Sequence, residues 1–482
     1  MTRLPVRLLG PAVLSLIAAG CATQQYQPTP LDPADNAQQF RDQRLDSPAL
    51  ADFVTALNPD RTDWPPQRWD ERSLFLAALF HHPDFAVQRA EWRARQAEGE
   101  TAARRPPPGV QLQTEYDTDP EEQGASHWSL GGLLNLTFEA PGKRDARIVA
   151  ARARIDAARQ QLGHSAWQLR ERVLRRYIEW QDRSMRVRLA SLQRLAADQA
   201  TTLLVERQRA GVTGGLEVSV MRLRDQRARL EEVAARNEVI TARMGLAAAM
   251  GVPTDAIEAI RNRLGKPAGD LPAVDELRLR RSALTGRYDI QRELAAFAAA
   301  DADLRGAVAA QYPDVTLAPG FIYDQGDAVW LLEASWMLLL RGYNDGPIAA
   351  ARARRDAAAA RFRALQARVI GELDQAVTHY RGQRRVLETA NKLLAEQRDY
   401  EAEVRQRHAA GYVDRLNLLT AQIETLAARR ARLDAWRNAL LARARLETTA
   451  QTTVPVRDDD LQLAIRRFVN QSTTDRQSES GP

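Results

Sequence analysis

Histidine and cysteine are the residue types in this sequence that are best suited to binding a metal or acting as a nucleophile. Their spacing argues against a metal site and against a nucleophilic site. None of the six histidines has a His or Cys partner at metal-site spacing: His81, His82, His127, His164, His379 and His408. The pair before Pro83 indicates a turn, and Gly142-Lys143-Arg144 lacks the upstream glycine of a phosphate-binding loop. The sequence predicts a protein that is not an enzyme and needs no metal or cofactor. Any energy that it uses must come from a partner protein.

The only cysteine, Cys21, follows a short basic and then apolar stretch that is typical of an export signal, so residues 1–20 are predicted to be a signal peptide. The position resembles a lipoprotein cleavage site, at which the thiol is acylated, although Ala18 stands where that pattern prefers Leu. The alternative is ordinary signal cleavage with an incidental thiol. Ala22, rather than Asp, follows the cysteine and favours the outer membrane. Residues 21–70 then form a lipid-anchored, extended N-terminal segment.

The charge balance is mildly basic, with a formal net charge of +6. Removing Arg3 and Arg7 of the signal peptide leaves +4 for residues 21–482. Arg and Glu are interspersed along helical stripes, which indicates solvated helix faces rather than a surface for nucleic acid. The export signal also conflicts with a nucleic-acid-binding function.

The chain is a tandem duplication with a period of about two hundred residues. Ala150–Arg154 reappears as Ala350–Arg354, and Ala210-Gly211 reappears as Ala410-Gly411. We expect repeat 1 over 71–265 and repeat 2 over 266–455. Each repeat is predicted to contain, in this order, a helix, two strands, a long helix, a glycine turn and a second long helix.

Hydrophobic periodicity places the elements within each repeat. Period-2 alternation predicts hairpins, and apolar residues at alternating threes and fours predict long helices with two adjacent coiled-coil seams. The predicted spans are hairpins at about 110–139 and 315–340 and long helices at about 143–208, 215–250, 347–408 and 414–450. The polar composition of 456–482 predicts a disordered tail.

Each strand has about the ten residues that cross a bilayer when tilted, with one aromatic-bearing apolar face. The expected membrane-facing aromatics are Trp128, Phe138, Trp330 and Trp336. Four strands cannot close a barrel, because unpaired strand edges in lipid leave backbone groups unsatisfied. Either the hairpins are soluble edge elements, or several chains share one barrel.

Residues 71–450 resemble the outer-membrane efflux proteins of the TolC type. The resemblance depends on Leu79 with Pro83-Asp84-Phe85, on the proline before each first strand, on the Ala/Arg-rich helix openings and on the two glycine turns. It implies a mainly α fold with membrane β-hairpins, assembled as a homotrimer with a 12-stranded β-barrel and an α-helical coiled-coil tunnel. It also implies a passive trans-periplasmic conduit for small molecules or ions, which works with a periplasmic adaptor protein and an inner-membrane pump.

The resemblance further implies that both glycine turns form a periplasmic tip for adaptor docking: Ala210, Gly211, Val212, Ala410, Gly411 and Tyr412. Some members carry an Asp six residues beyond each glycine that lines a constriction, and here these positions are Glu217 and Asn417. A carboxylate ring would concentrate cations. Because Asn417 is neutral, Glu217 or Asp414 would have to supply the charge, and Arg415 could pair with either. Thr420 stands where a further Asp can occur.

One other interpretation follows from the same sequence. The chain could be a structural periplasmic coiled-coil lipoprotein that acts as a spacer or scaffold, with hairpins that bind proteins by their edges. Aromatics near the strand ends favour the conduit, because lipid-exposed barrels carry such girdles. Pro141–Arg144 is also similar to the helix opening of family members paired with heavy-metal exporters.

Overall fold

The structure is a computed structural model that describes residues 26–57, 64–116, 118, 126–265, 271–324, 327–338, 342–454 and 459–471. Predicted signal peptide 1–20, Cys21 and the end of the predicted tail lie outside these residues. The chain divides into two compact units, Met1–Gln43 and Arg44–Pro482. The first unit contains one described helix, and every other described element belongs to the second.

The elements follow the twofold repetition predicted above. In chain order they are α1 (Pro33–Arg41), α2 (Pro48–Leu57), α3 (Glu71–His81), α4 (Pro83–Ala102), β1 (Gly109–Tyr116), β2 (Trp128–Phe138), α5 (Lys143–Arg209), α6 (Gly215–Met250), α7 (Thr254–Ile260), a 3₁₀ turn (Arg261–Arg263), α8 (Glu276–Gly286), α9 (Tyr288–Ala309), β3 (Val315–Asp324), β4 (Asp327–Trp336), α10 (Asp345–Ala409), α11 (Arg415–Ala450) and α12 (Asp459–Gln471).

The N-terminal segment differs from the predicted extended conformation of residues 21–70, because it contains α1 and α2. Asp32 caps α1 by accepting a hydrogen bond from the Ala34 amide at 2.7 Å, and Pro33 occupies the first turn. In α2 the buried side chains Leu50, Val54 and Leu57 recur at helical spacing. The cap of α1 and the apolar stripe of α2 stabilise these helices, although the Pro-rich composition of the segment predicted an extended conformation.

The prediction of a disordered tail is wrong for residues 459–471, which form α12. Leu461, Ile465 and Phe468 of this helix are buried in the main hydrophobic core. The Phe468 ring lies 5.4 Å from the Phe85 ring in an edge-on arrangement. One apolar stripe was therefore enough to anchor a helix of mostly polar residues.

The long helices form a wall. α5 has 67 residues and α10 has 65, so each is about 100 Å long at 1.5 Å per residue. In the lower half of the wall, which is the half nearer the glycine turns, the neighbouring helices lie in the order α6, α5, α11, α10. In the upper half, nearer the sheet, the order is α4, α5, α9, α10. The predicted stripe of α5, which includes Leu162, Leu169 and Val173, is buried in the main core against α3 and α12.

The four strands form one antiparallel sheet in the order β1-β2-β3-β4. The two hairpins are therefore joined through the β2–β3 pair, and the outer edges of the described sheet belong to β1 and β4. Trp128 pairs with Tyr116, Trp330 with Phe321, and Trp336 with Val315. The predicted mainly α fold, with hairpins and a duplicated helix-strand-strand-helix-helix unit, is confirmed. Among the described residues, no helix is both long enough and apolar enough to span a membrane.

Candidate functional site

Both predicted tip turns have the geometry of a Schellman helix end. In repeat 1 the Val212 amide donates to the Arg207 carbonyl at 2.9 Å, and the Gly211 amide donates to the Gln208 carbonyl at 3.0 Å. Repeat 2 has the same two bonds, at the same distances, from Tyr412 and Gly411. Gly211 and Gly411 have φ of 75° and 80°, a region that L side chains disfavour. The backbone, rather than packing, therefore requires glycine, because a Cβ at either position would meet nothing within 4 Å.

The tip presents side chains to solvent. Val212 is 74% exposed and Tyr412 is 83% exposed, and Ala210 and Ala410 are exposed beside them. Single exposed apolar residues are ordinary on a protein surface. Here, however, the two occupy equivalent turns at the end of the helical wall, where a partner protein has access to both.

An ion pair joins the two tips within one chain. Arg207 at the end of α5 donates through Nη2 to Oδ2 of Asp414 at 2.8 Å. Asp414 also caps α11, because its Oδ1 accepts from the Asn417 amide at 2.8 Å. That amide bond, followed by Arg207, holds the pKa of Asp414 below its ordinary value of 3.8. The carboxylate is therefore charged at neutral pH and already engaged by two donors.

The remaining predicted constriction residues are also exposed. Glu217 lies in the first turn of α6, where the helix dipole favours a negative charge. Arg415 and Asn417 begin α11, and the Thr420 hydroxyl donates to the Leu416 carbonyl at 2.9 Å. Asp414 is paired with Arg207 instead of Arg415, so one of the expected sources of free negative charge is neutralised.

Sequence reasoning missed two residues at the tip. Arg207 lies four residues before Gly211, and a basic residue in the last helical turn is a signal that favours the C-terminal dipole. His408 is the second, because its Nδ1 lies 3.0 Å from the Val413 carbonyl oxygen. Its position three residues before Gly411 places the ring over the turn.

The strand register places the predicted aromatics on one face of the sheet. Trp128, Phe138, Trp330 and Trp336 are all exposed, Trp330 to 81%. Because side chains alternate along a strand, the pairing puts further exposed apolar residues on that face: Val110, Leu112, Leu130, Leu134, Val315, Phe321, Tyr323 and Leu332. A patch that crosses all four strands is far larger than the scattered apolar residues of a water-soluble surface.

The opposite face of the sheet carries polar contacts. The Ser129 hydroxyl donates to Asp324, and the hydroxyls of Thr137 and Thr316 lie 3.1 Å apart. Asn135 donates weakly to Gln111 at 3.5 Å. The sheet therefore has one apolar face and one mixed face, on which these polar groups lie beside Leu133, Ile322, Val329 and Leu331.

Two ion pairs fix the sheet to the helical wall. Asp314, just before β3, accepts from the Ala140 amide at 2.7 Å and from Lys143 Nζ at 2.8 Å. Arg147 of α5 contacts both carboxylate oxygens of Glu139, at 2.6 and 3.1 Å. Both contacts connect the end of a strand to the first turns of α5.

The outer helices of the lower wall carry unpartnered apolar seams. On α6, Leu216, Leu223 and Leu230 are exposed at intervals of seven residues, whereas Val218, Asp225 and Glu232 are buried. On α10 the exposed residues at the same interval are Val386, Leu393 and Tyr400. A seven-residue apolar repeat is typical of a coiled-coil seam. Each outer helix therefore has a seam facing one neighbour and a second seam left open.

A buried ion network crosses the middle of the wall. Arg170 of α5 pairs with Glu447 of α11 at 2.7 Å, and Arg443 pairs with Glu71 of α3 at 3.0 Å. Burial raises the pKa of Glu71 above its ordinary value, against the attraction of Arg443 and Arg170. The network links the two repeats. No group of three or more His, Cys, Asp or Glu residues in the described part of the chain could hold a metal ion.

Two long helical hairpins and a four-stranded sheet with one apolar face are the architecture of a class of channel-forming proteins. The sequence matches the outer membrane efflux protein family over residues 74–252 and 279–450. The chain belongs to this family, so the predicted resemblance is confirmed. Its members are outer-membrane channels of tripartite efflux systems, and this is the function of the chain.

Solved structures show the same fold at low sequence identity. The outer membrane protein VceC from Vibrio cholerae is 19% identical and has a TM-score of 0.64, covering 81% of this chain and 100% of its own. A membrane protein from Pseudomonas aeruginosa is 20% identical with a TM-score of 0.65, covering 79% and 93%. The open MtrE channel of Neisseria gonorrhoeae is 16% identical with a TM-score of 0.62, covering 79% and 88%. A search of curated proteins found no match.

Proposed function

We propose that three copies of this chain form a passive duct through the outer membrane and across the periplasm. In this assembly the three sheets make one 12-stranded barrel and the three helical walls make one tunnel. An inner-membrane pump and a periplasmic adaptor supply the energy and deliver small molecules or ions. One observation carries the proposal: in the described residues, the outer strands β1 and β4 and the outer helices α6 and α10 each have a side without a partner.

The sheet supports this proposal through its edges. Each of β1 and β4 is paired on one side in the described residues, and the apolar face requires lipid or another apolar surface. An open edge in a bilayer leaves backbone N–H and C=O groups without hydrogen bonds, at several kcal/mol each. Pairing β1 of one copy with β4 of the next removes every edge once the ring closes.

The helical wall supports the same arrangement through the matching heights of its open seams. Leu223 lies 12 residues after Gly211 on α6, and Tyr400 lies 11 residues before Gly411 on α10. Leu230 and Leu393 match in the same way, because they lie 19 residues after Gly211 and 18 residues before Gly411. An α6 helix that packs antiparallel to the α10 helix of the next copy would therefore place seam against seam. This contact is heterologous, and it closes into a ring when the rotation between neighbouring copies is one third of a turn.

The tip and the N-terminus have proposed roles in the assembly. Val212 and Tyr412, with their flanking residues Ala210, Gly211, Ala410 and Gly411, form the surface on which the adaptor docks. The constriction lies at Glu217, Asp414, Arg415, Asn417 and Thr420, with Arg207 as the partner of Asp414. An acyl chain on Cys21 anchors the chain in the outer membrane. Trp128, Phe138, Trp330 and Trp336 face lipid.

Oxidative cross-linking between copies tests the assembly. In a Cys21→Ser background, Leu223→Cys combined with Tyr400→Cys should give covalent trimers, because the two positions face each other across the proposed seam. Leu223→Cys with Val386→Cys is the matched control, since Val386 lies 14 residues, or about 20 Å, away along α10. Equal cross-linking of both pairs would contradict the proposed seam.

Conductance tests the duct itself. Detergent-purified protein should have the mass of three chains and should carry ions when it is inserted into a planar lipid bilayer. A solitary or non-conducting protein would contradict the duct and would favour the structural spacer instead.

A further inference from the structure

Three arginines of α10 lie on one stripe of the helix and are named here the arginine row: Arg354, Arg361 and Arg368. They are seven residues apart, which is two helical turns, and all three are exposed. In the part of the chain that the structure describes, none of them has a carboxylate within the 4.0 Å of an ion pair. The long helix therefore carries a line of unneutralised guanidinium groups.

The arginine row lines two cavities of the upper wall. Arg354 and Arg361 border a cavity of about 840 Å³, to which α4, α5, α9 and α10 all contribute. Arg368 borders a second cavity, of about 330 Å³, between α5, α9, α10 and α11. Arg292 lines both, so the cavities adjoin. Because four neighbouring helices share the larger cavity, this face of the wall is concave.

Other arginines of these cavities are held in ion pairs. Arg154 contacts both oxygens of Asp303, Arg292 contacts Glu293 at 2.9 Å, and Arg287 contacts Asp289 at 2.6 Å. Two acids, Glu91 and Glu372, also line the cavities without an ion pair among the described residues. Together the cavities have eight arginines and seven carboxylates. The excess is one positive charge, and α10 is its source, because this helix contributes three arginines and a single carboxylate, Glu372.

We propose that the arginine row is a binding track for anionic solutes, so that the duct favours cargo bearing a carboxylate or phosphate over cationic cargo. The inference rests on the proposed function, because the concave face becomes the tunnel interior only when the walls join. Guanidinium matches both oxyanions through paired N–H donors. Three copies would supply nine such groups, and rings of basic side chains select anions in pores.

The reversal potential of the reconstituted wild-type trimer in a potassium chloride gradient tests the proposal. We expect the chloride-to-potassium permeability ratio to exceed 1, and to fall about twofold or more in Arg361→Gln/Arg368→Gln. Arg352→Gln/Arg363→Gln is the matched control, because it removes the same charge from exposed positions on the other side of α10. Arg361→Lys/Arg368→Lys should keep the wild-type selectivity. Inorganic phosphate should lower the chloride current of the wild type more than that of the glutamine variant.

The outcomes separate this inference from the proposed function. A conducting trimer that prefers potassium, or equal shifts in both glutamine variants, would overturn the anion track and leave the duct intact. Absence of any conductance would overturn the duct and the track together. If the glutamine variant does not assemble, the wild-type permeability ratio and its response to phosphate still decide the matter.

Discussion

The ion pair between Arg207 and Asp414 should help to hold the tip of the duct closed. It joins the end of α5 to the start of α11 at 2.8 Å, with the two side chains 30% and 41% exposed. Exposed pairs of this kind contribute about 0.2–1 kcal/mol each. Three independent copies would shift the balance between closed and open tips by about 0.6–3 kcal/mol. We therefore expect Arg207→Gln to raise the open-to-closed ratio about 3-fold to 150-fold.

The assay is single-channel conductance in a planar bilayer, with open probability as the readout. Asp414→Asn should act like Arg207→Gln, because Asn removes the charge but retains an oxygen that can cap α11. Arg407→Gln is the matched control: Arg407 holds the equivalent position of repeat 2 but pairs with Glu403 of its own helix. An unchanged open probability in Arg207→Gln, or an equal increase in Arg407→Gln, would refute the role of the pair.

The pH dependence of this opening follows from the pKa of Asp414. Its carboxylate has a folded pKa below 3.8, so the pair is intact above that value and is lost only as the pH falls through the folded pKa. Acidification from pH 7 to pH 5 should leave the open probability of the wild type unchanged through this group. An opening transition between pH 5 and 7 that Asp414→Asn abolishes would contradict the assignment.

Three further predictions concern stability and anchoring. Glu447→Gln should lower the free energy of unfolding by about 1.5–3 kcal/mol, measured by denaturant titration, because it neutralises a carboxylate that pairs with the buried Arg170 and Arg443, while Glu71 still attracts both. Phe468→Ala should destabilise by about 3–5 kcal/mol, since the ring is buried in the core, whereas Leu463→Ala on the exposed side of α12 should have little effect. Cys21→Ser should abolish incorporation of labelled fatty acid while trimer mass and conductance remain, and persisting label would disprove acylation at this residue.

The sequence was sufficient for elements that depend on local periodicity. The α5 helix was predicted from Lys143 to Gln208, and the structure extends it to Arg209. The hairpins could be predicted equally well, because the alternation of apolar and polar residues identifies a strand and its apolar face without information about neighbouring strands. Gly211 and Gly411 interrupted the helical pattern and marked the turns.

Features that depend on distant segments were not accessible in the same way. Arg207 and Asp414 are 207 residues apart, and their contact depends on how the two helical hairpins pack, which no local pattern encodes. The helix α12 was not predicted for a different reason. Leu461, Ile465, Phe468 and Val469 recur at helical spacing, but the surrounding polar residues outweighed this stripe in the prediction of disorder.

The duplication also explains why the tip pair occurs once, rather than twice, in each chain. Arg207 and Arg407 are equivalent, but repeat 1 has Leu203 where repeat 2 has Glu403, so Arg207 has no acid one turn earlier on its own helix. Conversely, Gly214 of repeat 1 stands at the position of Asp414 and offers no carboxylate to Arg407. The two substitutions together leave one link per chain. In a trimer of duplicated chains, a ring of six similar tips would therefore have only three links, and its symmetry at the constriction would be threefold.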